Sequence, residues 1–300
     1  MTALNPRRLL ADLSLLLVAF IWGSTFVVVK EAVAHLSTFW FLAIRFWLAF
    51  LVLLAIYYRQ VAAAVKVRAA LTGAVVVGVF LAAAYALQTT GLTVTTPSKA
   101  AFVTGLYVVI VPIFQATLLK RPPGVYPVTG AVVATAGMGL LTLQGGLLPS
   151  GGDLLVLGCA FGFAFHIIAV GHYAHRQDPY ALATLQVGVA AAAFTLLALA
   201  FEPRPGHLAV PVWLAILVTG VFATALAMVL QNAVQRLTPP THAAILLAME
   251  PVFAALTSFV YLGEVQSPRA LAGAAMMLAG MLLAEVRPAD RARPTAGLPG

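Results

Sequence analysis

Glu250 stands directly before Pro251 in the middle of an apolar run of this 300-residue chain. A carboxylate at such a place is costly to hold away from water, so it faces a cavity or a partner. Glu250 could bind a proton or a substrate amine. It could equally bond to the backbone that a proline-kinked helix leaves unpaired. Arg45 lies seven residues into another apolar run, about 10 Å from its end at 1.5 Å per residue. It could snorkel outward or cap a neighbouring helix. His166 is the one histidine well inside an apolar run. It reads either as a proton site or as a buried neutral ring with a carbonyl partner.

Gln88 and Gln231 sit at the ends of two further runs, where they could gate a pathway or fill an interface. Trp22-Gly23-Ser24-Thr25-Phe26 places small polar groups between two aromatics. The small groups let helices approach closely, and Trp22, Thr25 and Phe26 could line a cavity for apolar side chains. Tyr85, Phe102 and Tyr107 are weaker candidates of the same kind. The expected substrate-binding set is therefore Trp22, Thr25, Phe26, Tyr85, Gln88, Tyr107, His166, Gln231 and Glu250. Pro112 and Pro251 are the expected bending points, because a proline within a helix removes a hydrogen bond and kinks it. No His-Glu-x-x-His, phosphate-binding loop or Gly-x-Ser-x-Gly occurs. His172 and His175 flank a loop with Arg176 and Asp178 but make a poor metal set. A small-molecule substrate is expected, with no enzymatic activity, cofactor or metal.

The elements that must position these residues are set by composition. Hydrophobic residues make up 62% and charged residues 9% of the chain, and the mean hydropathy is +1.01. Soluble domains carry roughly a quarter charged residues, so the surface faces a lipid bilayer. The net charge of +8 is spread singly or in pairs between apolar runs, which excludes a nucleic-acid stripe. Cys159 is the only cysteine and can form no internal disulfide. Ten apolar runs span roughly 11–30, 38–58, 69–90, 98–119, 125–143, 152–172, 180–201, 209–230, 241–262 and 268–285. Each approaches the ~20 residues that cross ~30 Å of hydrocarbon. Their continuity excludes the alternating short segments of a membrane barrel. The first run is long enough to be a retained helix rather than a cleaved leader. The chain reads as an all-α membrane protein, monomeric or weakly dimeric.

The runs fall into two related sets. Gln88, Pro97, Ala100-Ala101, Leu119, Gly130-Ala131 and Gly137-Met138 recur 143 residues later as Gln231, Pro240, Ala243-Ala244, Leu262, Gly273-Ala274 and Gly280-Met281. Residues 1–143 form one five-helix repeat and 144–286 the second, with a disordered cytoplasmic tail over 287–300. Five spans per repeat is an odd number, so the second enters the membrane inverted. With the N-terminus inside, twelve Lys and Arg fall on the cytoplasmic side and four outside. Both termini are therefore expected in the cytoplasm of a multi-pass inner-membrane protein. The loop 144–152 is then external and Arg121 internal. Gly130, Ala134 and Gly137 should pack against their mates Gly273 and Gly280 as a close seam.

Several of these pieces together resemble the EamA family of the drug/metabolite transporter superfamily. They are Ile21-Trp22-Gly23-Ser24-Thr25-Phe26, Ala43-Ile44-Arg45-Phe46, Thr96-Pro97-Ser98-Lys99-Ala100-Ala101-Phe102 with Pro112, and Met249-Glu250-Pro251-Val252-Phe253 leading to Leu262-Gly263-Glu264. The likeness covers nearly the whole chain. It departs at Arg121, whose repeat mate is Glu264. The resemblance implies ten helices around a central cavity, with the fifth and tenth as a peripheral pair. It also implies export of amino acids or other small metabolites, as in amino-acid exporters of the YddG type. Other members carry sugars, nucleotides or toxic cations, which leaves efflux of drugs or organic cations as the alternative.

Overall fold

The computed structural model describes residues 6–118, 120, 123–143, 151–262 and 265–285. Arg121, Glu264, loop residues 144–150 and the tail from 287 lie outside that set. The described residues form helices α1 (Pro6–His35), α2 (Thr38–Ala64), α3 (Arg68–Val94), α4 (Pro97–Gly105), α5 (Tyr107–Thr117), α6 (Val125–Thr142), α7 (Gly151–Tyr173), α8 (Pro179–Phe201), α9 (Val210–Gly220), α10 (Ala227–Gln235), α11 (Pro240–Leu247), α12 (Glu250–Leu262) and α13 (Pro268–Glu285). A π-helical segment, Val221–Leu226, joins α9 to α10. Among the described residues nine stretches are long and apolar enough to cross a bilayer, with α4–α5, α9–α10 and α11–α12 each counting once. The tenth, Pro268–Ala284, is apolar but shorter.

Local chemistry starts and stops these helices. Pro97 opens α4, with Thr96 Oγ1 accepting from Lys99 N at 3.3 Å. Asp178 caps α8 by accepting from Tyr180 N and Ala181 N, both at 2.9 Å, ahead of Pro179. Proline at a helix start gives up an N–H that would be unpaired anyway. A helix start also leaves N–H groups that a distant acid can take. Glu202, just past α8, accepts from Phe39 N at 2.9 Å and Trp40 N at 3.0 Å at the start of α2. At the other pole, Lys30 Nζ donates to the carbonyls of Leu92, Thr93 and Thr95 where α3 ends, a cation at the negative end of a helix.

Such ties define two ends of the bundle. Glu202 joins α8 to α2, Lys30 joins α1 to α3, and Thr95 Oγ1 donates to Asp153 at 2.6 Å, joining α3 to α7. At the opposite end Gln177 donates to Ala69 O at 2.9 Å, and His242 Nε2 meets Asp12 Oδ1 at 3.1 Å. These are the Glu202 end and the Asp12 end below.

The expected seam between α6 and α13 is present. A Cβ on Gly137 would lie 2.6 Å from Gly273 O, and one on Gly130 would lie 2.5 Å from Gly280 O. The helices touch backbone to backbone, where only glycine fits. Helix starts repeat as well: Pro97, Tyr107 and Val125 open α4, α5 and α6, and Pro240, Glu250 and Pro268, each 143 residues on, open α11, α12 and α13.

Candidate functional site

Two spans are broken near their middles. In one, α4 gives way to α5 at Leu106. In the other, α11 ends at Leu247 and α12 begins at Glu250, with Ala248 and Met249 between them. The second break fits its sequence. Pro251 has no N–H for the carbonyl of Leu247, and its ring crowds that carbonyl. The first break does not fall where proline predicts. It lies at Leu106, six residues before Pro112, and Pro112 is accommodated inside α5. The bending point of that span is therefore the Gly105–Leu106 junction. Glycine is the weakest ordinary helix former, and here Met138 packs so closely that a Cβ on Gly105 would sit 2.5 Å from its sulfur.

The break exposes the first turn of α12, and Glu250 occupies it. Unpaired N–H groups and the positive helix end favour an acid there. The side chain is buried, and Tyr107 Oη donates to Glu250 Oε1 at 3.3 Å. The two residues are 143 apart, so Glu250 bonds its own repeat mate. Helix α1 closes over this point. Gly23 lies so near that a Cβ would be 2.3 Å from Glu250 O. Ser24 Oγ meets Thr257 Oγ1 of α12 at 3.0 Å.

The π segment holds the other pole. Its wider turn places Thr224 Oγ1 to donate to Thr219 O at 3.0 Å, five residues back. The same hydroxyl accepts from Arg45 Nε at 2.8 Å. Ala223 O accepts from Trp22 Nε1 at 2.8 Å. The Arg45 guanidinium lies 5.2 Å from the Tyr85 ring centre and 5.7 Å from that of Phe46, within cation–π range. Single-turn π segments recur at functional sites because they redirect side chains and carbonyls.

Glu250 and Arg45 line one cavity. Helix α1 contributes Trp22, Thr25 and Phe26, α3 contributes Tyr85 and Gln88, and α5 contributes Tyr107. The empty space is about 600 Å³, counting the open mouth. A row of rings forms one wall: Tyr85 to Phe163 at 5.3 Å between centres, then Phe163 to Tyr107 at 6.5 Å. The space runs from the broken helices toward Val29, Gln88 and Leu92, and thus toward the Glu202 end. Gln88 Nε2 donates to Thr104 Oγ1 at 3.1 Å on its side.

Seven of the nine residues singled out by sequence line this space, and two do not. His166 turns to α8, where Nε2 meets Gln186 Oε1 at 2.8 Å. The cavity face of α7 is set by Phe163 and Ile167, and His166 lies 100° round the helix from Ile167. Gln231 is packed toward the Asp12 end. It donates to Gln235 Oε1 at 3.0 Å, and Gln235 donates to Ile167 O at 2.5 Å. Phe102 packs against Gly139 of α6. Sequence reasoning passed over Thr89, Thr104 and Phe163, and left Arg45 as a structural residue. The hydrogen-bond partner of Arg45 Nε, Thr224, is 179 residues away and on a π turn, which no spacing along the chain signals.

A sequence model of the EamA-like transporter family matches this chain twice, over residues 9–143 and 150–285. An "uncharacterized transporter" of Archaeoglobus fulgidus is 35% identical over 284 residues, covering 94% of this chain and 87% of that protein. A solved crystal structure superposes with a TM-score of 0.78 at 20% identity, covering 92% of this chain and 96% of the other. That likeness concerns the fold alone. The two family matches together span nearly every described residue, and the archaeal relative is similar over almost its whole length; this chain belongs to the EamA-like transporter family of the drug/metabolite transporter superfamily, and it is a multi-pass membrane transporter.

Proposed function

We propose that the protein is an inner-membrane secondary carrier that exports amino acids or related small metabolites by alternating access. Residues 1–143 and 144–286 act as inverted five-helix repeats, both termini lie in the cytoplasm, and the working unit is a monomer or weak dimer. The observation that carries this reading is the cavity beside two interrupted spans. Discontinuous helices in matching places of two repeats are where transporters bind substrate. The cavity approaches the Glu202 end, while Gln231, Gln235 and the carbonyl of Ile167 are bonded together toward the other. In the proposed cycle the first end is the side that opens and the second the side held shut. Aromatic walls with few charges suit a small amphipathic solute. Trp22, Thr25, Phe26, Tyr85, Gln88, Tyr107 and Glu250 are its proposed contacts. Glu250 sits at the bend, where its surroundings change as the mouths exchange, so it also serves as the coupling proton site.

Purified protein in proteoliposomes tests the reading against a panel of amino acids and organic cations. Amino acids should move in response to an imposed proton gradient. Glu250→Gln keeps shape and hydrogen bonding but cannot titrate, so it should lose gradient-driven transport and retain exchange. A wild-type protein that moves only organic cations would overturn the substrate class. A Gln variant with normal gradient-driven uptake would overturn the coupling role.

A further inference from the structure

The charge balance of the cavity is unequal. Glu250 has a hydroxyl donor in Tyr107 and the positive end of α12. Arg45 is 2% exposed, and among the described residues no carboxylate lies within 4.0 Å of its nitrogens. A cation buried at membrane depth is retained where it pairs or serves a pathway. Its side chain is held by a hydrogen bond and an aromatic pair. Thr224 takes Nε, and the rings of Tyr85 and Phe46, 5.1 Å apart, lie together 5.2 and 5.7 Å from the guanidinium carbon. Phe46 is itself clamped between Tyr85 at 5.1 Å and Phe194 at 4.9 Å. Helix α9 presses on the same place, since a Cβ on Gly220 would be 3.1 Å from Arg45 O. Thr224 takes Nε and the Tyr85 side chain is a second hydrogen-bond partner, so the terminal N–H groups that remain are what Arg45, which lines the cavity, offers a ligand.

We infer that Arg45, oriented by the Thr224 hydroxyl of the π segment, is the residue that binds a carboxylate on the substrate. This rests on the reading of the cavity as the transport site. A planar guanidinium offers paired N–H donors matched to a carboxylate. The bound anion supplies the contact counter-charge that no carboxylate among the described residues gives Arg45. A lysine would not replace it, because an ammonium cannot be braced through Nε while presenting a planar fork. The cavity then discriminates against a compound of the same shape without the anion, since its entry leaves a buried cation unpaired.

The test uses compounds sharing one side chain: phenylalanine, N-acetylphenylalanine, phenylalaninamide and phenethylamine, with the leucine and alanine series beside them. Inhibition or counterflow is measured in proteoliposomes, and thermal melting in detergent reports folding and ligand stabilisation. Wild type should favour the free carboxylates over the amide and amine by about ten- to a hundredfold. Arg45→Gln should erase that preference while amide and amine bind as before, and Arg45→Lys should recover only part of it. If Arg45→Gln does not fold, Thr224→Val carries the test. It leaves the charge and should cut the carboxylate preference severalfold. A merely structural arginine would weaken all four compounds together. Wild-type transport without a carboxylate preference, or a preference that survives in Arg45→Gln and Thr224→Val, overturns the inference and leaves the carrier reading standing. If wild type moves none of the compounds in any series, both fail together.

Discussion

Gly23→Ala tests whether α1 and the broken span form one packed unit around Glu250. The added Cβ would lie 2.3 Å from Glu250 O and 3.1 Å from Ala254 N. Non-bonded heavy atoms settle at about 3.5 Å, so the two backbones must part by about 1 Å. Both are backbone atoms of packed helices, so no side chain can swing away. Overpacking of this kind costs about 1–3 kcal/mol. The shift would also stretch the 3.0 Å Ser24–Thr257 bond beyond hydrogen-bond range, a further ~1 kcal/mol. A loss of roughly 2–4 kcal/mol corresponds to a melting point lower by about 3–6 °C in a chain of this size. Transport should fall further than stability, because the displaced atom belongs to Glu250. Gly139→Ala is the control. Its Cβ would meet Phe102 at an ordinary 3.5 Å, and alanine is the better helix former by about 1 kcal/mol. It should melt at or above wild type. The assay is thermal melting in detergent with initial transport rates for both variants. Melting of Gly23→Ala within 2 °C of wild type at normal transport would refute the packing argument, as would an equal fall in Gly139→Ala.

Two further outcomes are expected. In a Cys159→Ala background, Lys66→Cys should react with an impermeant maleimide only from the cytoplasmic side and Gly206→Cys only from outside; reaction of both from one side would sink the topology. Removing the acid that meets His242 at 3.1 Å should loosen the closed end. Asp12→Ala should therefore raise the modification rate of Thr238→Cys severalfold, and an unchanged rate would mean that the contact holds nothing shut.

What the chain revealed in advance depended on how local the signal was. The spans and the glycine seam follow from composition and from residues whose spacing matches a helix face. Gly130 and Gly137 needed only their repeat mates to be recognised. Glu250 was legible because an acid beside proline in an apolar run is anomalous by itself. Pro112 misled for a related reason. Proline marks a lost hydrogen bond but not how the lost bond is absorbed, and the break settled at Gly105–Leu106, where Met138 presses. Arg45 was visible but undervalued, because its role turns on Thr224 and on a π segment. The Val221–Leu226 stretch reads as an ordinary apolar helix. His166 failed on rotation, and Gln231 because it packs with Gln235 toward the Asp12 end. Each is polar and deep, but which way a side chain turns within a bundle is decided by packing partners far away in sequence.

The meeting of Tyr107 with Glu250 says something about how a duplicated site is made to work. On the proposed two-fold arrangement, a residue that touches its own repeat mate lies on or beside the axis. Identical acids in both halves would then face each other at bonding distance, and like charges so close in an apolar surrounding are strongly unfavourable. Tyrosine in the first half removes that conflict and supplies a donor at 3.3 Å. The departure from symmetry leaves one carboxylate at the centre in place of two. A carrier built this way can take one proton or one amine there per cycle. Arg45 breaks the symmetry again, since the residue 143 positions on is Gly188. On the proposed mechanism the repeat provides the paired breaks that let two mouths exchange, and the charges without a mate in the other half provide the chemistry.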